Sequence, residues 1–216
     1  MEEKREIIYS DISSALRKQP YDALVYLDKG KVIAVDSNGK VIARGIAGED
    51  DTTVIQAALN ALNNQGTVLL SPGSFDVTDS IRVPDGCILS GSGWGTELKL
   101  NKVNSVSKRF IVYVGVRATL ERLKINGNAW RDRDIDTNGV HVRDYGIVRL
   151  CEIEDVRQYA LNSYKSCGTK YLYNLIHHTK YPFSFTGAEG DGAAFSNGCL
   201  AHGNTCYEYN LYVKVR

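Results

Sequence analysis

The chain lacks an excess of charge of either sign. Its 216 residues carry 26 Lys plus Arg against 25 Asp plus Glu, a net charge of +1, so there is no electrostatic footprint for nucleic acid or for an anionic membrane. It also lacks an apolar run of 18 residues, and Met1-Glu2-Glu3-Lys4-Arg5-Glu6 opens acidic without the apolar core of a secretion signal. The reading is a soluble protein, with secretion without a removable signal, a trimmed chain, or assembly into a virus particle left open. Cys-x-x-Cys spacing is missing from Cys87, Cys151, Cys167, Cys199 and Cys206, which argues against a structural zinc site. Buried thiols are expected, and a Cys199–Cys206 bond stays open if neighbouring turns bring the pair together. Methionine occurs once and tyrosine 13 times beside many Lys, Arg and Glu, a balance compatible with a thermophile. With 43% apolar residues the chain can fill the core of one sizeable domain.

What the chain does have is an unusual order of elements between Asp50 and Leu100. Asp50 and Asp51 stand where side-chain oxygens can cap helix N–H groups, and Val54, Ile55, Ala58, Leu59 and Leu62 recur on one helical face. The helix is predicted over 51–63 and ends at Asn64-Gln65-Gly66. Short strands follow, punctuated by Ser71-Pro72-Gly73, Val83-Pro84-Asp85-Gly86 and Gly91-Ser92-Gly93-Trp94-Gly95-Thr96. Strands this short suit a chain that winds and stacks each turn on the last. The acidic pair, Ile55-Gln56-Ala57-Ala58, Pro72-Gly73 and the Gly91 to Thr96 turn together resemble the opening of the pectate-lyase-like superfamily of right-handed parallel β-helices. The resemblance implies an all-β fold: a short right-handed parallel β-helix with an N-terminal cap of a β-meander and one amphipathic helix. Members of that superfamily include polysaccharide lyases, glycoside hydrolases, epimerases, viral tailspikes and proteins with no known activity, so function has to be argued from a site.

Upstream, Ser10-Asp11 is expected to cap a short helix running to Pro20. Leu24 to Leu27, Val32 to Val35 and Val41 to Ala43 read as a meander with turns at Asp28-Lys29-Gly30 and Asp36-Ser37-Asn38-Gly39. An open solenoid end needs its strand edges covered. Residues 1–63 are therefore expected to cap a β-helix spanning 64–216, a separate adhesive or assembly module being the other reading. Beyond residue 138 the chain repeats imperfectly. Val140, Leu161 and Phe183 align at offsets of 21 and 22, and Ile153, Ile176 and Leu200 at 23 and 24, lengths that suit one β-helix turn. Alternation then places Val140, Leu161 and Phe183 inside and His141, Asn162 and Ser184 outside, beside Arg143, Tyr164 and Thr186.

The densest ionisable group is Arg131-Asp132-Arg133-Asp134-Ile135-Asp136, just before His141, Arg143 and Asp144. Superfamily members typically process polysaccharides on such a face. By that resemblance Asp134, Asp136, His141 and Arg143 are the catalytic candidates, and Tyr113, Asn162, Tyr164 and Lys165 the substrate-binding ones. Arg143 or Lys165 could hold a sugar carboxylate, His141 could act as acid or base, and Asp134 and Asp136 could carry protons or bind a cation, calcium being the one cofactor considered. A solvated loop of alternating charges is the plainer alternative. Asp136-Thr137-Asn138-Gly139 looks like a permuted polygalacturonase motif, but that family's Asp-Asp pair and Gly-His-Gly are absent, so its activity is not transferred. His177 and His178, adjacent on a strand, should point to opposite faces and cannot share one metal; no metal ligand is assigned. Tyr113, Tyr164, Tyr171, Tyr173, Tyr207, Tyr209 and Tyr212 are too many for a narrow core, so several should be exposed for sugar stacking or a subunit interface.

The functional expectation is a carbohydrate-active or carbohydrate-binding protein with an extracellular polysaccharide partner and neither nucleic acid nor membrane. The alternative is a non-catalytic surface or virion protein using the β-helix as a rod. The segment from Cys206 to Arg216 keeps strand-like alternation, so its exposed edge is expected to be covered by self-association as a homo-oligomer or by further chain.

Overall fold

The computed structural model describes residues 21–101, 110–128, 137–186 and 199–209. Three strands open it: β1 (Ala23–Asp28), β2 (Lys31–Asp36) and β3 (Val41–Ile46), an antiparallel meander. The helix α1 (Asp51–Asn60) follows, shorter than the expected 51–63 because Asn63 and Asn64 take positive φ and turn the chain away. From there the strands wind. One coil comprises β4 (Gly66–Leu70), β5 (Gly73–Val77) and β6 (Ile81–Val83); the next β7 (Cys87–Ser90), β8 (Thr96–Leu100) and β9 (Phe110–Val114). Then come β10 (Thr119–Glu121), β11 (Lys124–Asn126) and β12 (Asn138–Val142), followed by β13 (Ile147–Arg149) with the long bent β14 (Glu152–Tyr164). The last are β15 (Lys170–Leu172) with β16 (Leu175–Thr186), and β17 (Leu200–His202) with β18 (Thr205–Tyr209). From β4 to β16 each coil strand pairs in parallel with the strand above it. The chain is a right-handed parallel β-helix of three faces.

Interior residues stack in columns about 4.8 Å apart. On the first face the column is Val68, Leu89, Leu120, Val148 and Tyr171; on the second Phe75, Leu98, Ile125, Ile153 and Ile176; on the third Ile81, Val112, Val140, Leu161 and Phe183. All but Phe183 are fully buried, and burying one such side chain contributes about 1.5–3 kcal/mol. The offsets for Val140, Leu161 and Phe183 match the sequence repeat. The other row needs correcting: Ile153 pairs with Ile176, but Ile176 then pairs with Cys206, whereas Leu200 sits on the first face beside Lys170. Extra chain between β16 and β17 lengthens that coil and shifts its register.

The three corners are made by left-handed residues rather than by glycines alone. Arg122, Leu150, Tyr173 and Gly203 (φ 53°, 54°, 55° and 64°) form one corner column, and Gly86, Arg117, Tyr145 and Gly168 (φ 73°, 55°, 57° and 66°) another. A single residue at positive φ turns the chain while its N–H still points along the axis. Arg122, Leu150 and Tyr173 accordingly donate to the carbonyls of Arg149, Leu172 and His202 in the coil above. Inside the first of these corners, Asn174 accepts from the Cys151 N–H and donates to Val148 O and Asn204 Oδ1, and Asn204 donates to Tyr171 O.

The lower edges of all three faces are covered. Strand β1 pairs with β4, so the meander extends the first face. Asp51 accepts from the Asp76 N–H (2.7 Å) and Thr52 from the Thr78 N–H (2.9 Å), which covers β5. The Gln56 amide accepts from Arg82 N and donates to Arg82 O, as a neighbouring strand would, which covers β6. The acidic pair therefore does not cap its own helix as expected. Asp50 makes no side-chain capping bond to α1 and instead accepts from Ile46 N, while Asp51 holds β5 and the Gly48 N–H. The same helix buries Val54, Ile55, Ala58 and Leu59 against the coil. All five cysteines are free thiols. The expected helix before Pro20 lies outside the described residues.

Candidate functional site

On the third face the outward side chains alternate with the buried column, and the register lines up Arg82, Tyr113, His141, Asn162 and Ser184 across five strands. His141 Nδ1 lies 3.1 Å from Asn162 Oδ1. A carbonyl oxygen only accepts, so the proton sits on Nδ1 and Nε2 keeps its lone pair. The imidazole packs against Phe110 (5.1 Å between ring centres) and Tyr113 (5.6 Å), and the Arg82 guanidinium lies over Tyr113 at 4.6 Å. Burial pushes the His141 pKa below its ordinary value; the Asn162 bond opposes this and the Arg143 charge adds to it. His141 is thus a neutral, oriented imidazole at pH 7.

The remaining predicted residues fall at different places. Arg143 is exposed just after β12, near enough to act on His141 through its charge. Tyr164 ends β14 half exposed, and Lys165 at φ 51° sets its ammonium 5.8 Å from the Tyr164 ring centre. The structure therefore brings Tyr113, His141 and Asn162 into contact, adds Arg143 by charge, and leaves Tyr164 and Lys165 as a separate pair farther along β14. Asp134, Asp136 and the rest of the 131–136 loop lie outside the described residues. The residues of the permuted motif that are described have structural work: Thr137 Oγ1 accepts from Arg157 N and Asn138 Oδ1 from Tyr159 N. A Cβ on Gly139 would fall against the Ala160 carbonyl, so the close approach of the next coil requires glycine there. Of the tyrosines, Tyr164, Tyr173 and Tyr207 are exposed as expected, whereas Tyr171 is fully buried with its hydroxyl on Ser163.

A second polar array, on the outer side of the second face, escaped the sequence reading. Its rows are Ser74, Glu97, Lys124 and Glu152, and Asp76, Lys99, Asn126, Glu154, His177 and Tyr207. Lys124 Nζ is 2.6 Å from Glu154 Oε1 and 3.7 Å from Glu152 Oε1; Asn126 donates to both Glu97 and Glu154. Burial lowers the Lys124 pKa, but the bond to Glu154 and the charges of Glu154, Glu152 and Glu97 outweigh it and raise the value overall. His177 Nε2 lies 3.1 Å from Glu152 Oε1 and 3.6 Å from Glu154 Oε2. The two adjacent histidines do not point apart. His178 takes φ 50° at the corner, which swings its ring back until the two Nδ1 atoms are 2.7 Å apart. Alternate polar or charged residues at 97 and 99, 124 and 126, and 152 and 154 were the available signal, but unequal coil lengths hid their register.

No protein-family model matches the sequence, and no curated protein matches it. Among solved structures, the A-modules of the Azotobacter vinelandii mannuronan C-5 epimerases AlgE6 and AlgE4 are similar. Each is 16% identical over 76% of this chain, with TM-scores of 0.46 and 0.47. The chain spans 62% and 55% of those two modules. What the chain shares with these modules is the parallel β-helix fold. Among the described residues no helix is long and apolar enough to cross a membrane.

Proposed function

We propose that the third face binds an acidic polysaccharide and that His141 accepts a proton from it. The observation that carries this reading is the neutral His141 imidazole, its Nδ1–H held by Asn162 and its ring packed on Phe110 and Tyr113. Arg82 stands over Tyr113 in the same outward row, and Arg143 and Lys165 add positive charge along the face. Aromatic rings offer stacking surfaces for sugar rings, and guanidinium groups pair with uronate carboxylates. A general base must be unprotonated at the working pH to take the proton beside such a carboxylate, and the lowered pKa keeps the His141 imidazole in that form. Strand spacing places successive side chains of the row about 4.8 Å apart, so an extended chain could be held across several coils. Asp134 and Asp136 would complete the site if their loop folds over this row, as acids or as ligands for calcium. Residues 64–216 would form the solenoid that presents the face and residues 1–63 its cap.

The test is calorimetric titration of the chain with polyuronates and with neutral glucans, alongside absorbance assays for unsaturated products. Binding of a polyuronate that weakens at least tenfold in Tyr113→Ala supports the binding face. Product formation lost in His141→Gln while binding persists supports the base. No binding to any acidic glycan refutes the proposal and favours a non-catalytic, rod-like surface or virion protein.

A further inference from the structure

We propose that Glu152, Glu154 and His177 on the second face form a binding site for a first-row divalent transition ion of the zinc class, independently of the glycan face. Their three ligand atoms all lie within 4.8 Å of one another. With metal–ligand bonds of about 2.0–2.2 Å, the edges of a tetrahedron are about 3.3–3.6 Å long. His177 Nε2 is 3.1 Å from Glu152 Oε1 and 3.6 Å from Glu154 Oε2. The His177–Glu154 pair therefore already spans such an edge, the His177–Glu152 pair needs to open by only about 0.2 Å, and a fourth position is available to water.

The surroundings hold each ligand in that arrangement. Glu154 divides its oxygens: Oε1 takes the Lys124 ammonium and the Asn126 amide, which leaves Oε2 toward His177. The other nitrogen of His177 contacts His178 Nδ1 at 2.7 Å, and His178 Nε2 in turn contacts Glu208 at 2.7 Å. Metal-binding imidazoles are typically oriented in this way, through a hydrogen bond at the nitrogen that does not bind. The ring is further fixed by stacking on Tyr207, 4.8 Å between centres and 6° from parallel. The His177 side chain is 6% exposed and the two glutamates 15% and 14%, so the group is not a solvated acidic patch. Two carboxylates against one ammonium leave a local negative charge that a divalent ion neutralises. The imidazole selects the ion: nitrogen with two carboxylates suits zinc or its neighbours, whereas calcium takes six to eight oxygens.

The experiment is titration of the full chain with zinc chloride, with calcium chloride in a parallel arm. Wild type is expected to take up one zinc ion per chain. His177→Phe, which keeps the stack on Tyr207, and Glu152→Gln should each weaken uptake at least tenfold, whereas the surface substitution His202→Ala should not. Circular dichroism checks that each variant is folded. In the wild-type chain, zinc should shift the ring NMR signals of His177 ahead of those of the other three histidines, a readout that needs no variant. Failure of the wild type to bind zinc, unchanged affinity in either ligand variant, equal shifts of all four histidines, or tighter binding of calcium than of zinc would each overturn the proposal. None of these outcomes depends on whether the third face binds a glycan.

Discussion

Replacing Asn174 by Ala should cost far more than its small, uncharged side chain suggests. Asn174 is 2% exposed, and its Oδ1 accepts from the Cys151 N–H at 3.0 Å. Its Nδ2 donates to Val148 O at 3.0 Å and to Asn204 Oδ1 at 2.9 Å. Alanine leaves the Cys151 N–H without that acceptor inside the corner, and an orphaned buried donor costs about 1–3 kcal/mol. The two further side-chain bonds are worth a net 0.5–1.5 kcal/mol each, roughly, so the total is about 2–6 kcal/mol. For a chain of this size, at about 2–4 °C per kcal/mol, the melting temperature should fall by roughly 4–24 °C. Urea titration followed by circular dichroism measures the loss, and amide exchange at Cys151 reads it locally, since that N–H should become the most deprotected in its coil. Asn204→Ala, nearer the surface, should cost less. A loss below about 0.5 kcal/mol for Asn174→Ala, with Cys151 still protected, would refute the argument that the amide satisfies this corner.

Two further perturbations follow from the coil. Gly168→Ala imposes a side chain at φ 66°, with a Cβ 2.5 Å from the Tyr145 ring; the ring can swing away, so the left-handed backbone sets a cost of about 1–2 kcal/mol. Measured by thermal unfolding, that cost should persist in a Tyr145→Ala background, and its disappearance there would show that ring contact was the cause. Burial raises the Asp51 pKa above its ordinary 3.8, against the opposing bonds from the Asp76 and Gly48 N–H groups. A raised folded-state pKa contributes stability that is fully present below about 3.8 and lost as pH rises through the folded value. Asp51→Asn should therefore be less destabilising at pH 7 than near pH 4 in parallel urea titrations, and the reverse order would overturn the assignment.

The sequence alone determined the winding. Val140, Leu161 and Phe183 recur at 21 and 22 residues because no extra chain interrupts the third-face segments of those coils, so a one-dimensional repeat maps directly onto a three-dimensional column. It also determined the helix and its buried face, because Val54, Ile55, Ala58 and Leu59 obey a local period. The column of His141, Asn162 and Ser184 followed from the same alternation once the repeat was seen, whereas Tyr113 joined it only through the pairing of β9 with β12. Tertiary structure decided what depends on coils of unequal length. Leu200 was misplaced because lengthened chain before it moves the register, and Glu152, Glu154 and His177 became neighbours only through pairing between successive coils. The corners were equally hidden, since Arg122, Leu150 and Tyr173 carry no local preference for positive φ. They adopt it because hydrogen bonds to the coil above hold them there. The acidic pair, which looks locally like a helix cap, was claimed instead by the open edge of β5 and the end of the meander, where backbone N–H groups had no strand beneath them to accept their bonds.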